Sequence, residues 1–297
     1  MMYTVSHIKT NTDNFLEIES VNQANYAKVN LCQGGSLQDL KLNNQLIISS
    51  KDVLPYEQSF ASAILFPFTN RIEKGQYNFN DTFYQLNCNK TDELNAIHGL
   101  VYDKTFEILE IKNTETSALV SIVYKEDKQH IGFPFKYKII LNYELSHKCL
   151  KLSINVLNED INPFPFGLGW HPYFFTSNLF ESSLSMRSDN ILRVNTNMIP
   201  IGQEKSKWEG HQKIEHQTFD DCFILKSNGI EFKTPDYHFD LLLSEPSFYL
   251  QIYTPENRKT IAIEPQTAPA NSFNNKIGVQ ILNPNEHFNS CWTIQLK

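Results

Sequence analysis

The feature that most limits how this chain can fold is a side-chain alternation of period two that recurs throughout it, with no long stretch of period 3.6 in competition. Tyr137, Ile139, Leu141, Tyr143 and Leu145 alternate with Lys138, Ile140, Asn142 and Glu144. After Ser146-His147-Lys148 the pattern resumes, with Leu150, Leu152, Ile154 and Val156 alternating with Lys151, Ser153 and Asn155. Successive strand side chains point to opposite faces, so each run offers one apolar face, and the short polar link predicts a hairpin. Similar runs at 106–111, 119–124, 241–243, 248–253 and 292–296 predict further strands. Many strands at short spacing without intervening helices predict an all-β fold, a large antiparallel β-sandwich.

A length of 297 residues exceeds the usual domain, but sandwiches commonly reach it as one unit. No Gly/Ser linker, low-complexity tract or fixed-period repeat divides the chain, so a single domain over residues 1–297 is expected. The 21 Phe and 13 Tyr supply a large core and favour strands. A net charge of −7 with no basic run gives nucleic acid no electrostatic footprint, and a small neutral or cationic partner fits better. The first residues lack the apolar run of a secretion signal and no stretch approaches membrane-spanning length; a cytoplasmic protein without a membrane partner is expected. Five widely spaced cysteines with no C-x-x-C pair predict reduced thiols. There is no H-E-x-x-H, Walker A, G-x-G-x-x-G or G-x-S-x-G segment, so no metal site, nucleotide loop or serine nucleophile is expected.

Two segments each set one ionisable side chain among apolar or small residues: Phe166-Gly167-Leu168-Gly169-Trp170-His171-Pro172-Tyr173-Phe174 and Ile261-Ala262-Ile263-Glu264-Pro265-Gln266-Thr267. Strand alternation puts Phe164, Phe166, Leu168 and Trp170 on one face and Pro165, Gly167, Gly169 and His171 on the other. Glycines in a strand suggest that something approaches the backbone closely, here a ligand beside His171. A buried glutamate such as Glu264 is costly without a use. The ordinary alternatives are a satisfied structural histidine and an edge-strand glutamate facing water. His98, within Asn95-Ala96-Ile97-His98-Gly99-Leu100, is either a ligand contact or a loop cap. Arg71 offers a rigid hydrogen-bonding fork, or is a surface arginine paired with an acid. Of the adjacent Asp220 and Asp221, alternation sends one to a ligand and the other to solvent, unless both lie in a surface turn. Trp170, Tyr173 and Phe68 could stack on a sugar face or simply be core.

At these residues the chain resembles the aldose 1-epimerase, or galactose mutarotase-like, family. The resemblance runs in order through Asn70-Arg71-Ile72, Gly75-Gln76-Tyr77, Asn95 to Leu100, Pro165 to Phe174, Asp220-Asp221-Cys222-Phe223, Tyr253-Thr254-Pro255 and Ile263-Glu264-Pro265-Gln266-Thr267. Near the end, Leu282-Asn283-Pro284-Asn285-Glu286 is similar to the family's Leu-x-Pro-Gly-Glu turn, with Asn285 at the glycine position, which asparagine tolerates. The resemblance implies a galactose mutarotase-like supersandwich with an open sugar cleft. It implies Glu264 as general base and His171 as general acid, with Arg71, His98 and Asp220 binding substrate and no cofactor or metal. The implied reaction exchanges the α and β anomers of a free hexose such as galactose or glucose. Glu264 starts ionised and His171 protonated; deprotonation of the C1 hydroxyl and protonation of the ring oxygen open the ring. Alternatives are a mutarotase for phosphorylated sugars, a non-catalytic carbohydrate-binding protein, and a lyase or glycosidase using Glu264 with Asp220, the last requiring carboxylates about 5–9.5 Å apart. A monomer or weak homodimer is expected.

Overall fold

The computed structural model describes residues 2–11, 13–128, 130–206, 208–244 and 248–297, and most of them lie in antiparallel strands. The expected hairpin is present: Tyr137–Ser146 pairs with Cys149–Asn158, with Ser146 opposite Cys149 and Lys148 closing the turn at φ 58°. Tyr137, Ile139, Leu141, Tyr143 and Leu145 are all buried, as the alternation requires. The other predicted runs fall in the strands Glu107–Asn113, Ser117–Glu126, His238–Leu243, Tyr249–Tyr253 and His287–Leu296. A five-stranded meander, from Tyr3–Lys9 to Gln45–Ile48 in chain order, precedes them.

The larger sheet begins at the edge strand Glu107–Asn113 and passes through the hairpin, His287–Leu296, His238–Leu243 and Gly229–Lys233 to the long strand Ser183–Val194. That strand serves two neighbours in succession. Ser183 to Ser185 pair with Gly229–Lys233, and Ser188 to Ile191 pair with Asp220–Leu225, with a register shift between Ser188 and Asn190. Such a shift bends a strand and increases its twist. Beyond it the sheet continues through Asp220–Leu225, Tyr249–Tyr253 and Thr260–Gln266 to the short strands Gly169–Trp170 and Tyr173–Phe175. The two parts face each other across the core. Trp170 stacks on Trp292 at 6.1 Å between centroids, and Phe174 packs on Phe239 at 4.7 Å. This is the large antiparallel sandwich expected from the alternation.

One expectation needs correction. Phe164–Phe166 and Gly169–Trp170 belong to different sheets, paired with Gln280–Leu282 and with Thr260–Gln266 respectively. Both faces of the segment are packed by protein. A Cβ on Gly169 would lie 2.9 Å from the Thr69 methyl and 3.2 Å from Gln266 Cγ; one on Gly167 would lie 3.2 Å from Ala268 Cβ. These glycines admit the side chains of neighbouring segments, not a ligand. Trp170 and Phe68 are core, and of the three aromatic candidates only Tyr173 reaches the cavity described below.

The turn at Asn283-Pro284-Asn285-Glu286 forms with Asn285 at φ 61°, closed by the Glu286 amide donating to the Asn283 carbonyl at 3.0 Å. All five cysteines are free thiols.

Candidate active site

Four neighbouring strands form the floor of a cavity of about 310 Å³. Their register decides which side chains meet there. Gln251 lies opposite Glu264, and Asp220 opposite Tyr253. Gln251 Nε2 donates to Asp220 Oδ1 at 2.8 Å, and Gln266 Nε2 to Glu264 Oε2 at 3.2 Å. Glu264 sits in a strand buried along its whole length, which removes the edge-strand alternative.

His171 follows directly on Gly169–Trp170. Its amide donates to the Ala63 carbonyl at 3.1 Å and its carbonyl accepts from the Ser62 amide at 2.7 Å. The ring stacks on Tyr173 at 5.1 Å with an interplanar angle of 11°. Its Nε2 stands 3.5 Å from Glu264 Oε1. That distance is just beyond a good hydrogen bond, close enough for both groups to address one small ligand without being locked to each other. Burial pushes the His171 imidazole down to about 4 and pushes the Glu264 carboxyl well above its ordinary value, the nearby Asp220 charge adding to the latter. In this cavity the pair is therefore drawn toward its neutral form, opposite to the starting protonation that the family resemblance implied. Moving the proton from Glu264 to His171 leaves the net charge of the pair unchanged.

The opposite wall comes from turns and two-residue strands. Arg71–Ile72 pairs with Ala96–Ile97, placing Arg71 beside Ile97 and just before His98 in space. The bends on either side need left-handed backbone: Asn70 has φ 48°, His98 φ 65° and Gly99 φ 78°. The His98 amide donates to the Asn70 carbonyl at 2.9 Å, tying the two bends together. A Cβ on Gly99 would lie 2.3 Å from the Phe66 carbonyl oxygen, so only glycine fits there. The His98 ring packs edge-on against His171 at 4.9 Å, and burial followed by the neighbouring His171 charge holds it well below its ordinary value. It is a neutral imidazole, able to donate and accept hydrogen bonds.

Arg71 is buried and held by Glu93 through two bonds, Nε to Oε2 at 2.5 Å and Nη2 to Oε1 at 2.9 Å. Its Nη1 donates to Asn70 Oδ1 at 3.0 Å. Arg71 is therefore paired with an acid, as its ordinary alternative required, but it is buried in the cavity lining and not on the surface.

All five residues singled out in the sequence, Arg71, His98, His171, Asp220 and Glu264, line this one cavity. Of the adjacent acids, Asp220 lines it while remaining open to solvent, and Asp221 is not part of the lining. Glu93, Lys90 and Gln251 line it too and were not foreseen. Gln251 had a faint signal, a polar residue inside the strand Tyr249–Tyr253, whose meaning depends on its register against Glu264. Glu93 had none.

The fold is that of the galactose mutarotase-like sandwiches. A galactose mutarotase-like protein from Clostridium acetobutylicum superposes with a TM-score of 0.88 at 21% identity, over 99% of this chain and 98% of that one. The galactose 1-epimerase of Lactobacillus acidophilus NCFM gives 0.80 at 18% identity, over 99% and 98% of the two chains. The model of the aldose 1-epimerase family matches residues 19–295, and the chain belongs to that family. Among its relatives is the uncharacterized protein YihR of Escherichia coli (strain K12), 27% identical over 265 residues, or 84% of this chain and 83% of YihR.

Proposed function

We propose that the protein is an aldose 1-epimerase that interconverts the α and β anomers of a free, uncharged hexose such as galactose or glucose. The observation that carries this reading is the buried His171–Glu264 pair, 3.5 Å apart, on the floor of a cavity about the size of the smallest ligand pockets.

Anomer exchange moves protons on two oxygens bonded to one carbon, so acid and base must stand within a few ångströms of each other. The C1 hydroxyl donates to the Glu264 carboxylate, and Arg71, which lowers Glu264 electrostatically, favours that ionised form. The proton then rests on His171 at no change in the pair's charge. Glu264 takes the hydroxyl proton as His171 protonates the ring oxygen, and the hemiacetal opens. Rotation about C1–C2 presents the other face, and the reverse transfers close the ring. Arg71, the neutral His98 and the Asp220–Gln251 couple supply fixed donors and acceptors for the remaining hydroxyls.

The cavity's charges favour a neutral sugar over a phosphorylated one. Among the described residues its two cations, Arg71 and Lys90, each already face a carboxylate: Glu93 for Arg71, and Asp92 at 3.1 Å for Lys90.

The test is polarimetry of freshly dissolved α-D-glucose and α-D-galactose with wild type and Glu264→Gln. Acceleration that disappears in the variant is the expected result. Binding of either sugar without acceleration would replace the enzyme with a carbohydrate-binding protein.

A further inference from the structure

We propose that Glu93 is a positioning residue that makes the cavity selective for uncharged sugars, by holding Arg71 in a two-pronged ion pair and so denying its charge to an anionic ligand. This rests on the cavity being a sugar site.

Arg71 is the cation nearest the buried floor, and of its five N–H donors Glu93 takes two and Asn70 a third. Glu93 is itself steadied by Asn95 Nδ2 at 3.4 Å, and its bonds to Arg71 hold its carboxyl below the usual range, so it stays ionised. Lys90 Nζ lies 4.0 Å from Glu93 and closer to Asp92, so it too is occupied. Asp220, which also feels the Arg71 charge, adds a further carboxylate to the lining, and burial keeps His98 and the His171–Glu264 pair drawn toward neutrality. A sugar carrying a carboxylate or phosphate would lose water on entry, find no unpaired cation among the described residues of the lining, and meet two carboxylates. An uncharged hexose suffers none of these penalties and can still use the remaining guanidinium donors.

The arrangement also separates this role from simple structural support. With Glu93→Gln, Arg71 keeps its bond to Asn70 and gains a free charge. A neutral sugar then loses some orientation, whereas an acidic sugar gains a partner. A purely structural Glu93 would weaken both alike.

The experiment is calorimetric binding of D-glucose, D-galactose, D-glucuronate and D-galacturonate to wild type, Glu93→Gln and Glu93→Asp at low and high salt, with polarimetry on the same samples. The expected result is that Glu93→Gln raises the affinity ratio of uronate to hexose by about tenfold or more, a gain that shrinks in high salt. Glu93→Asp should return the ratio toward wild type. A ratio that does not move, or a wild type that binds uronates as well as hexoses, would overturn the proposal. No binding of any of the four sugars would overturn both this proposal and the sugar-site reading. If the ratio shifts as expected but no variant accelerates anomer exchange, the epimerase reading fails and the selectivity of Glu93 stands.

Discussion

The floor and the wall of the cavity are built by different means. On the floor, Asp220, Gln251 and Glu264 come from adjacent strands and His171 follows the next, so their spacing is fixed by ladder register. On the wall, Asn70, Arg71, Glu93 and His98 come from bends whose shape depends on left-handed residues and on one glycine. A register error on the floor would turn every side chain to the other face. A backbone error on the wall would move one or two. The floor is thus suited to groups that must meet within a narrow distance, the wall to groups that decide what enters.

If that division holds, substitutions on the floor should change the rate of chemistry, and those on the wall should change binding or local stability. The largest expected effect is for His171→Asn, which should lower the mutarotation kcat by about 10²–10⁴-fold with KM nearly unchanged, measured by polarimetry across substrate concentrations. A rise in KM alone would break the division.

The same floor group sets the acid limb of the pH profile. Near neutrality the His171–Glu264 pair holds one proton; below about 4, the value to which burial lowers His171, it takes up a second and has no base left. The rate should fall as pH drops through about 4, not through the value near 6.5 of an exposed histidine. An acid limb near 6.5 would show that His171 is not the group titrating.

On the wall, Gly99→Ala should cost about 2–4 kcal/mol in urea unfolding, because the left-handed backbone and the Phe66 carbonyl both oppose a side chain. A cost near zero would mean the wall can rebuild itself.

A smaller effect has the opposite sign. Glu264 is raised by burial, so from about 4.3 upward the unfolded chain loses a proton that the folded chain retains, and stability falls as pH rises. Glu264→Gln removes this penalty and should stabilise the fold at neutral pH, with a gain that grows with pH. Thermal melts over a pH series would show it. The smallest effect expected is for Arg71→Lys, which loses the fork to Glu93 and should raise KM about tenfold with little change in kcat.

How much was legible in the sequence follows the same division. The hairpin 137–158 and the strand ending in Leu296 could be read directly, because one buried face imposes period two. Glu264 stood out as a charge inside an apolar run. His171 was found for a reason that did not survive, since the glycines before it accommodate Thr69, Gln266 and Ala268. Arg71 and His98 were placed by motif, as nothing in their local pattern separates a ligand contact from a loop residue. Glu93 was invisible because its meaning is its partner, Arg71, 22 positions earlier in the chain, reached only through two bends and a two-residue pairing. The meander at 3–48 was missed because its strands are short, four to seven residues, with charged outward positions that resemble loops.

The long strand Ser183–Val194 belongs to both parts of the bent sheet, and this has a consequence for how the molecule opens. The floor cannot detach without breaking ladder bonds that continue around the bend into the hairpin layer. Amide protons at Gly169, Gln251 and Gln266 should therefore exchange with solvent only when the whole protein unfolds. Those at His98 and Asn95 can exchange through local openings. The reacting groups would then share the lifetime of the fold itself, while the selecting groups open and close many times within it.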